Sequence, residues 1–223
     1  MSRFFDMDSP VMRFLTRVAD LLILNLVTLV CCLPVITIGA SITAMHYVLL
    51  KMVRNEEGYI VRSFFKSFKQ NFKQATLMWL IVLLFIAIFA GDIFIFNYSS
   101  IEFPQALKVV LLALCLVVVM MVAYAFPVLS RFDNTIFNTF KNALFMSILN
   151  LPKTILMLVM YAVPIAILYF VPMAIPFVFM FGFSLPGYAA AMLYNRAFKR
   201  FEPEEEPLVD RFETGNKDDL TQK

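Results

Sequence analysis

Apolar and polar positions fall in long blocks along this chain, without the short periods of a soluble domain. No Asp, Glu, Lys or Arg occurs in stretches 21–50, 74–91, 109–130 or 154–195. Uninterrupted apolar runs of about 18 residues or more mark membrane-spanning helices. The 109–130 run makes one span, and 74–91 extended past Asp92 by Ile93 to Phe96 makes another. The 154–195 run has 42 residues, about 63 Å as helix and roughly twice a hydrocarbon core. Pro172 and Pro176 fall near its middle, where proline breaks helices, so it divides into two spans. The 21–50 run is about 45 Å as helix, long for one upright span and short for two. Leu33-Pro34 sits near its centre, ahead of the small, polar Thr37-Ile38-Gly39-Ala40-Ser41. A helix starting upstream, near Val11, turns this run into a two-helix hairpin.

The charges between the blocks orient them. Lys and Arg number 3 in residues 1–17, 6 in 51–74, 1 in 97–108, 3 in 129–153 and 6 in 196–223. Basic segments stay in the cytoplasm, so only 97–108 is placed outside. The expected fold is all-α: a polytopic bundle with spans near 14–33, 35–52, 75–96, 107–128, 153–171 and 175–195. Both termini are expected on the cytoplasmic side of the membrane. A re-entrant first hairpin that never reaches the far side satisfies the same charge pattern.

Composition adds exclusions. The chain is 61% apolar and 16% charged, against roughly 45–50% and about 25% for soluble domains. Six glycines and 25 phenylalanines favour helices over an outer-membrane barrel, which needs short alternating segments and frequent turns. Cys31, Cys32 and Cys115 lie inside apolar runs and behave as small apolar side chains. With His46 the only histidine, no metal site, nucleophile or cofactor site is expected, and the chain is not expected to be an enzyme. Basic loops beside membrane helices explain the net charge of +3 without a nucleic-acid partner. No small-residue cleavage site follows the first apolar run, which is therefore expected to remain as an anchor. The segment 201–223, rich in Glu and Pro, is expected to be a disordered cytoplasmic tail.

Two cytoplasmic segments share a motif. In 62–75, helical spacing sets Phe65, Phe68, Phe72 and Ala75 on one face and places Lys66, Lys69 and Lys73 elsewhere. The sequences Asn71-Phe72-Lys73-Gln74-Ala75 and Thr139-Phe140-Lys141-Asn142-Ala143 have Phe-Lys-amide-Ala in common. Helices lying in the membrane interface near 60–74 and 132–148 account for this pattern, with lysines reaching toward headgroups. A docking surface built on Phe65, Phe68, Lys69, Phe72, Lys73, Phe140 and Lys141 accounts for it as well.

Polar residues within membrane segments are costly and become functional candidates. Asp92 lies near the outer end of the third span, as an interface residue or a functional carboxylate. Asp20 is placed three residues from Arg17, a pairing distance on a helix. Asn25 is deep enough to bond across helices. Thr37, Gly39 and Thr43 follow the Pro34 break, and broken helices are one way transporters build sites. The second and sixth spans echo each other. Each opens with Leu-Pro, at Leu33 and Leu185. Each reaches Ala-Met-x-Tyr, at Ala44 and Ala191, and ends in bases.

Residues 24–75 resemble the YesL-like family of small bacterial integral membrane proteins, a family of unknown function. The resemblance is carried by Asn25-Leu26, Cys32-Leu33-Pro34-Val35-Ile36-Thr37-Ile38-Gly39, Ala44-Met45-x-Tyr47, Lys51 with Arg54, and Phe64-Phe65 followed by Phe68 to Ala75. Tyr124 to Phe132 and Lys141-Asn142-Ala143 look like the family's second half. Such proteins are typically encoded beside carbohydrate ABC-transport components and sugar-responsive regulators. The resemblance therefore implies a non-enzymatic accessory or regulatory role in oligosaccharide uptake or sensing. Carbohydrate ABC transporter subunits or a sensor kinase are the implied partners, with membrane lipid around the chain and self-association open. An autonomous small-solute transporter or channel, with a path near Pro34–Gly39 and Asp92, is the alternative.

Overall fold

A computed structural model describes residues 10–56, 58–98 and 104–201. Among these residues the chain is helical with no strand, as the block pattern requires for backbone in lipid. Residues 202–223, most of the segment expected to be disordered, lie outside the described residues, as do 99–103 of the outer loop.

Helix α1 (Pro10–Cys32) starts on a proline, whose missing N–H costs nothing in a first turn. It stops ahead of Leu33-Pro34, because the residue before proline is disfavoured in helical conformation. A 3-10 turn (Val35–Thr37) leads into α2 (Ile38–Val53). The Thr37 hydroxyl lies within reach of the Cys31 carbonyl at 2.6 Å and the Pro34 carbonyl at 2.8 Å. It ties the tip of this hairpin together.

Helix α3 (Ile60–Tyr98) is a single helix of 39 residues, about 58 Å long. The interfacial helix expected over 60–74 and the span expected over 75–96 are therefore one element. Between Asn71 and Thr76 there is no proline or glycine to break it. Asn71, an intrinsically weak helix former, bonds back to the Ser67 carbonyl at 3.1 Å. Helix α4 (Gln105–Arg131) returns from the far end, and α5 (Ile136–Leu149) follows, capped by Thr135. Helix α6 (Leu151–Phe170) is the next apolar helix.

The final span, expected as one helix over 175–195, is two. α7 (Ile175–Phe181) and α8 (Ser184–Phe198) belong to a bent unit with 55° between its halves. Pro186 explains the break, because it has no N–H for the carbonyl four residues earlier, at Gly182. By length and composition, five of the helices can cross a membrane, or six if this bent pair counts as one span.

Helix α2 is the hub. It packs against α1, α3, α4 and α8, and Ala40, Ala44, Val48, Leu49 and Leu50 are fully buried or nearly so. Its small residues permit close approach: a Cβ on Gly39 would lie 2.5 Å from the Ala75 carbonyl oxygen and 2.6 Å from the Trp79 Cβ. The Trp79 indole donates to the Val35 carbonyl at 2.8 Å. With α2 ending at Val53, α3 beginning at Ile60 and Gly39 against Ala75 and Trp79, α2 lies antiparallel to α3 along Ile60–Trp79.

Toward the far ends of α3 and α4 burial falls away. No described side chain of α3 after Val82 is buried, and none of α4 before Tyr124. This upper arm presents Leu80, Leu84, Ile86, Ile88, Ile93, Leu112, Leu114 and Leu116, each about half exposed or more. Leaving eight such side chains in water would cost on the order of 10 kcal/mol, comparable to the whole stability of a domain. The arm belongs in lipid.

Candidate functional site

Three of the polar residues expected inside the membrane, Asn25, Thr37 and Thr43, bond to the backbone. Asn25 is fully buried in α1. Its amide donates to the Phe179 carbonyl at 2.8 Å, and its oxygen accepts the N–H groups of Phe183 and Ser184, each at 3.0 Å. These are groups the break between α7 and α8 leaves without helical partners, so Asn25 is a latch across the break. The Thr43 hydroxyl donates to the Gly39 carbonyl of its own helix at 2.8 Å. Thr37 and Gly39 shape the hairpin tip, as described above.

Asp20 is half-buried within electrostatic reach of Arg17, but the hydrogen bonds of Arg17 go elsewhere. Its guanidinium donates to the Met52 carbonyl at 2.6 Å, to the Tyr188 hydroxyl at 3.3 Å and to the Asn55 side chain. Arg17 thus meets the C-terminal carbonyls of α2, where a cation is favoured, and ties α1, α2 and α8 together. Asp92 is half-exposed on the upper arm. It lies 13 residues beyond Trp79, about 20 Å along the helix from the hairpin tip. The Pro34–Gly39 break and Asp92 therefore do not come together.

The aromatic face of α3 is set one residue away from the expected one. Phe64, Ser67, Ala75, Met78 and Val82 are buried, and Phe68 packs beside them. Phe65 and Phe72 point outward, with Lys69 and Lys73 also exposed. The sequence holds two aromatic stripes, and the packing of α2 selects the one containing Phe64. In α5, Phe140 packs against the core while Lys141 is exposed. The Gln74 amide donates to the Asn134 carbonyl at 2.5 Å, joining α3 to the segment that opens α5.

Where the sequence pointed to separate polar residues, the structure assembles a cavity of about 430 Å³ between α2, α3, α4, α6 and the α7–α8 break. Its volume lies in the range of small-molecule sites. Ile42, Met45, Trp79, Val122, Phe126 and Leu168 form apolar walls. Three helix irregularities converge on it: Pro127 inside α4, Pro164 inside α6, and the break at Gly182 and Phe183.

The polar groups in its lining are His46 and Tyr161. His46 Nδ1 lies 3.2 Å from the Tyr194 hydroxyl. The Tyr161 hydroxyl is buried with no hydrogen-bond partner among the described residues. Sequence reasoning missed Tyr161 and Tyr194, because isolated tyrosines in apolar runs carry no spacing signal. The echo between the second and last spans was the available clue. Those helices pack side by side, Gly187 facing Met45 and Leu49, and Arg54 donating to Asn195 at 2.9 Å. Among the described residues no three His, Cys, Asp or Glu side chains gather to hold a metal ion.

A family model described as a protein of unknown function, DUF624, matches residues 21–93. The matched stretch runs from the middle of α1 through the hub helix α2 and most of α3, and it contains the 24–75 stretch discussed above. No curated protein and no solved structure matches the chain.

Proposed function

We propose that this chain is a non-enzymatic protein of the bacterial cell membrane that works by docking onto another protein, as an accessory or regulatory component of carbohydrate uptake or sensing. Both termini lie in the cytoplasm in this reading, as the basic segments argue. One observation carries the docking role: exposed apolar side chains stand among the bases at the foot of the bundle, where Arg13 and Arg17 on α1 and Lys66, Lys69 and Lys73 on α3 argue against burial in hydrocarbon. If lipid covers the upper arm, the foot of the bundle still exposes Val11, Phe14 and Leu15 on α1, at 58%, 70% and 59%. Phe65 and Phe72 are also outward there. Contiguous exposed apolar side chains outside lipid mark a protein-binding face. The carbohydrate link rests on the YesL-like resemblance alone.

Cross-linking in native membranes followed by purification should recover a carbohydrate ABC-transport component or a sensor kinase. Phe14→Ser with Leu15→Ser should lose that partner without unfolding the bundle. Recovery of the chain alone, under cross-linking that captures a known membrane complex, overturns the reading. The transporter alternative draws on the cavity, since the residues first proposed for its path lie apart. Solute flux in proteoliposomes tests it directly.

A further inference from the structure

We infer that the cavity between α2, α3, α4, α6 and the α7–α8 break is a binding site for a neutral lipid, a long apolar chain ending in one uncharged hydroxyl, which enters from the bilayer. Among the described residues the lining carries no Asp, Glu, Lys or Arg. A charged headgroup or an ion would lie there unpaired, which dry surroundings penalise heavily. An oligosaccharide fits no better. Each sugar ring brings several hydroxyls that need partners once out of water, and the polar side chains of the lining are His46 and Tyr161. His46 is already engaged with Tyr194 through Nδ1. The volume of about 430 Å³ is well above the roughly 150 Å³ that holds a benzene molecule between apolar walls.

The hydroxyl end answers two features of the lining. The Tyr161 hydroxyl is buried without a hydrogen-bond partner among the described residues, a state that native interiors avoid. Pro127 and Pro186 have no N–H for the carbonyls of Ala123 and Gly182, and both of those residues line the cavity. One hydroxyl on a ligand can accept from Tyr161 and donate to such a carbonyl. The route of entry follows from the surface nearby. The cavity is partly open, and Ile165, Leu168 and Phe183 of its lining are also exposed. Val163 on α6 and Phe177 and Phe179 on α7 are exposed too. The rule that puts the upper arm in lipid puts these sides of α6 and α7 there as well. An opening between them meets acyl chains and not water.

Trp79 lines the cavity and is the only tryptophan in the chain, so its fluorescence reports on the site. The full-length protein in unbrominated detergent is titrated with a brominated long-chain alcohol, whose bromine quenches the indole on contact. Quenching should saturate. Tyr161→Phe should raise the half-saturation point about two- to tenfold, the worth of one hydrogen bond, and leave a brominated alkane of equal length unaffected. Ala123→Phe and Ile42→Phe, which fill the space from α4 and from α2, should each abolish the saturable part for both probes. They lie on different helices, so if one fails to match the parent's melting behaviour the other still decides. Quenching that rises without saturating, or that is the same in the filled variants, comes from the outer surface and overturns the inference. Displacement of the alcohol by a soluble oligosaccharide overturns it too, and an unchanged Tyr161→Phe overturns the assignment of the hydroxyl end. Since docking is scored by co-purification and lipid binding by fluorescence, failure of one leaves the other standing.

Discussion

The side-chain oxygen of Asn25 accepts the backbone N–H of Ser184, 3.0 Å away and 159 residues further along the chain. With the bonds to Phe179 and Phe183, one amide from the first helix satisfies three backbone groups at the break in the last. An unpaired backbone group in a dry interior costs about 1–3 kcal/mol, and interhelical bonds within membranes average somewhat less.

Asn25→Ala is therefore expected to destabilise the bundle by about 2 kcal/mol. At this chain length that corresponds to roughly 4–8 °C in a reversible melt. The measurement is thermal unfolding in detergent, and a melting temperature equal to that of the parent would remove the latch from the account.

The glycines make a graded series. Gly39→Ala places a methyl group against the Ala75 backbone and the Trp79 Cβ, neither of which can swing aside, and should cost about 2–3 kcal/mol. Gly187→Ala meets the ends of the Leu49 and Met45 side chains, which can rearrange, so about 1 kcal/mol is expected. At Gly91 a Cβ meets nothing within 4 Å. Gly91→Ala should be neutral or slightly stabilising, by up to about 1 kcal/mol of helix propensity. Any other ranking in denaturant titrations would contradict the close packing of α2.

Arg17 reaches three partners, on α2, on the turn that follows it and on α8, and Arg and Lys differ most at such forked sites. Arg17→Ala should lose about 2 kcal/mol. Arg17→Lys should recover less than half of it, because one ammonium cannot reproduce the guanidinium fork. Full rescue by lysine in the same melt would show that charge alone holds the foot of α1 to the end of α2.

For His46 and Tyr194 the informative quantity is their coupling. A double-mutant cycle of His46→Ala and Tyr194→Phe should give about 0.5–1.5 kcal/mol, the range for one hydrogen bond. Additivity of the two changes would mean that the contact contributes nothing measurable.

Asp92→Asn is expected to leave stability within about 0.5 kcal/mol of the parent. The residue sits half-exposed on an arm that packs against little else. A larger loss, measured in detergent and again in lipid, would point to a partner for this carboxylate that the bundle itself does not supply.

Much of the helical class was legible because a charge inside hydrocarbon is expensive, and the chain shows that expense directly in its four uncharged runs. The turn at Leu33-Pro34 was legible because proline cannot continue a helix. The inward face of α3 was not. Phe64, Phe65, Phe68 and Phe72 offer two stripes of nearly equal hydrophobicity, and the choice between them depends on where α2 lies. The roles of Asn25 and Thr37 were open for a related reason. A polar side chain in an apolar run has the same appearance whether it meets a solute or an orphaned carbonyl, and its partner lies far away in the chain.

By itself, then, the sequence determined the kind of solvent this chain needs and which segments carry its bases, since both follow from transfer energies that act residue by residue. The tertiary structure alone decided register and neighbourhood. Gly39 against Trp79 sets how far the first hairpin rises along α3, and Asn25 on Ser184 lets the last span bend. His46 meets Tyr194 beside a cavity formed at three helix breaks. Register between helices comes from side-chain packing at specific contacts, and no local pattern of polarity encodes it.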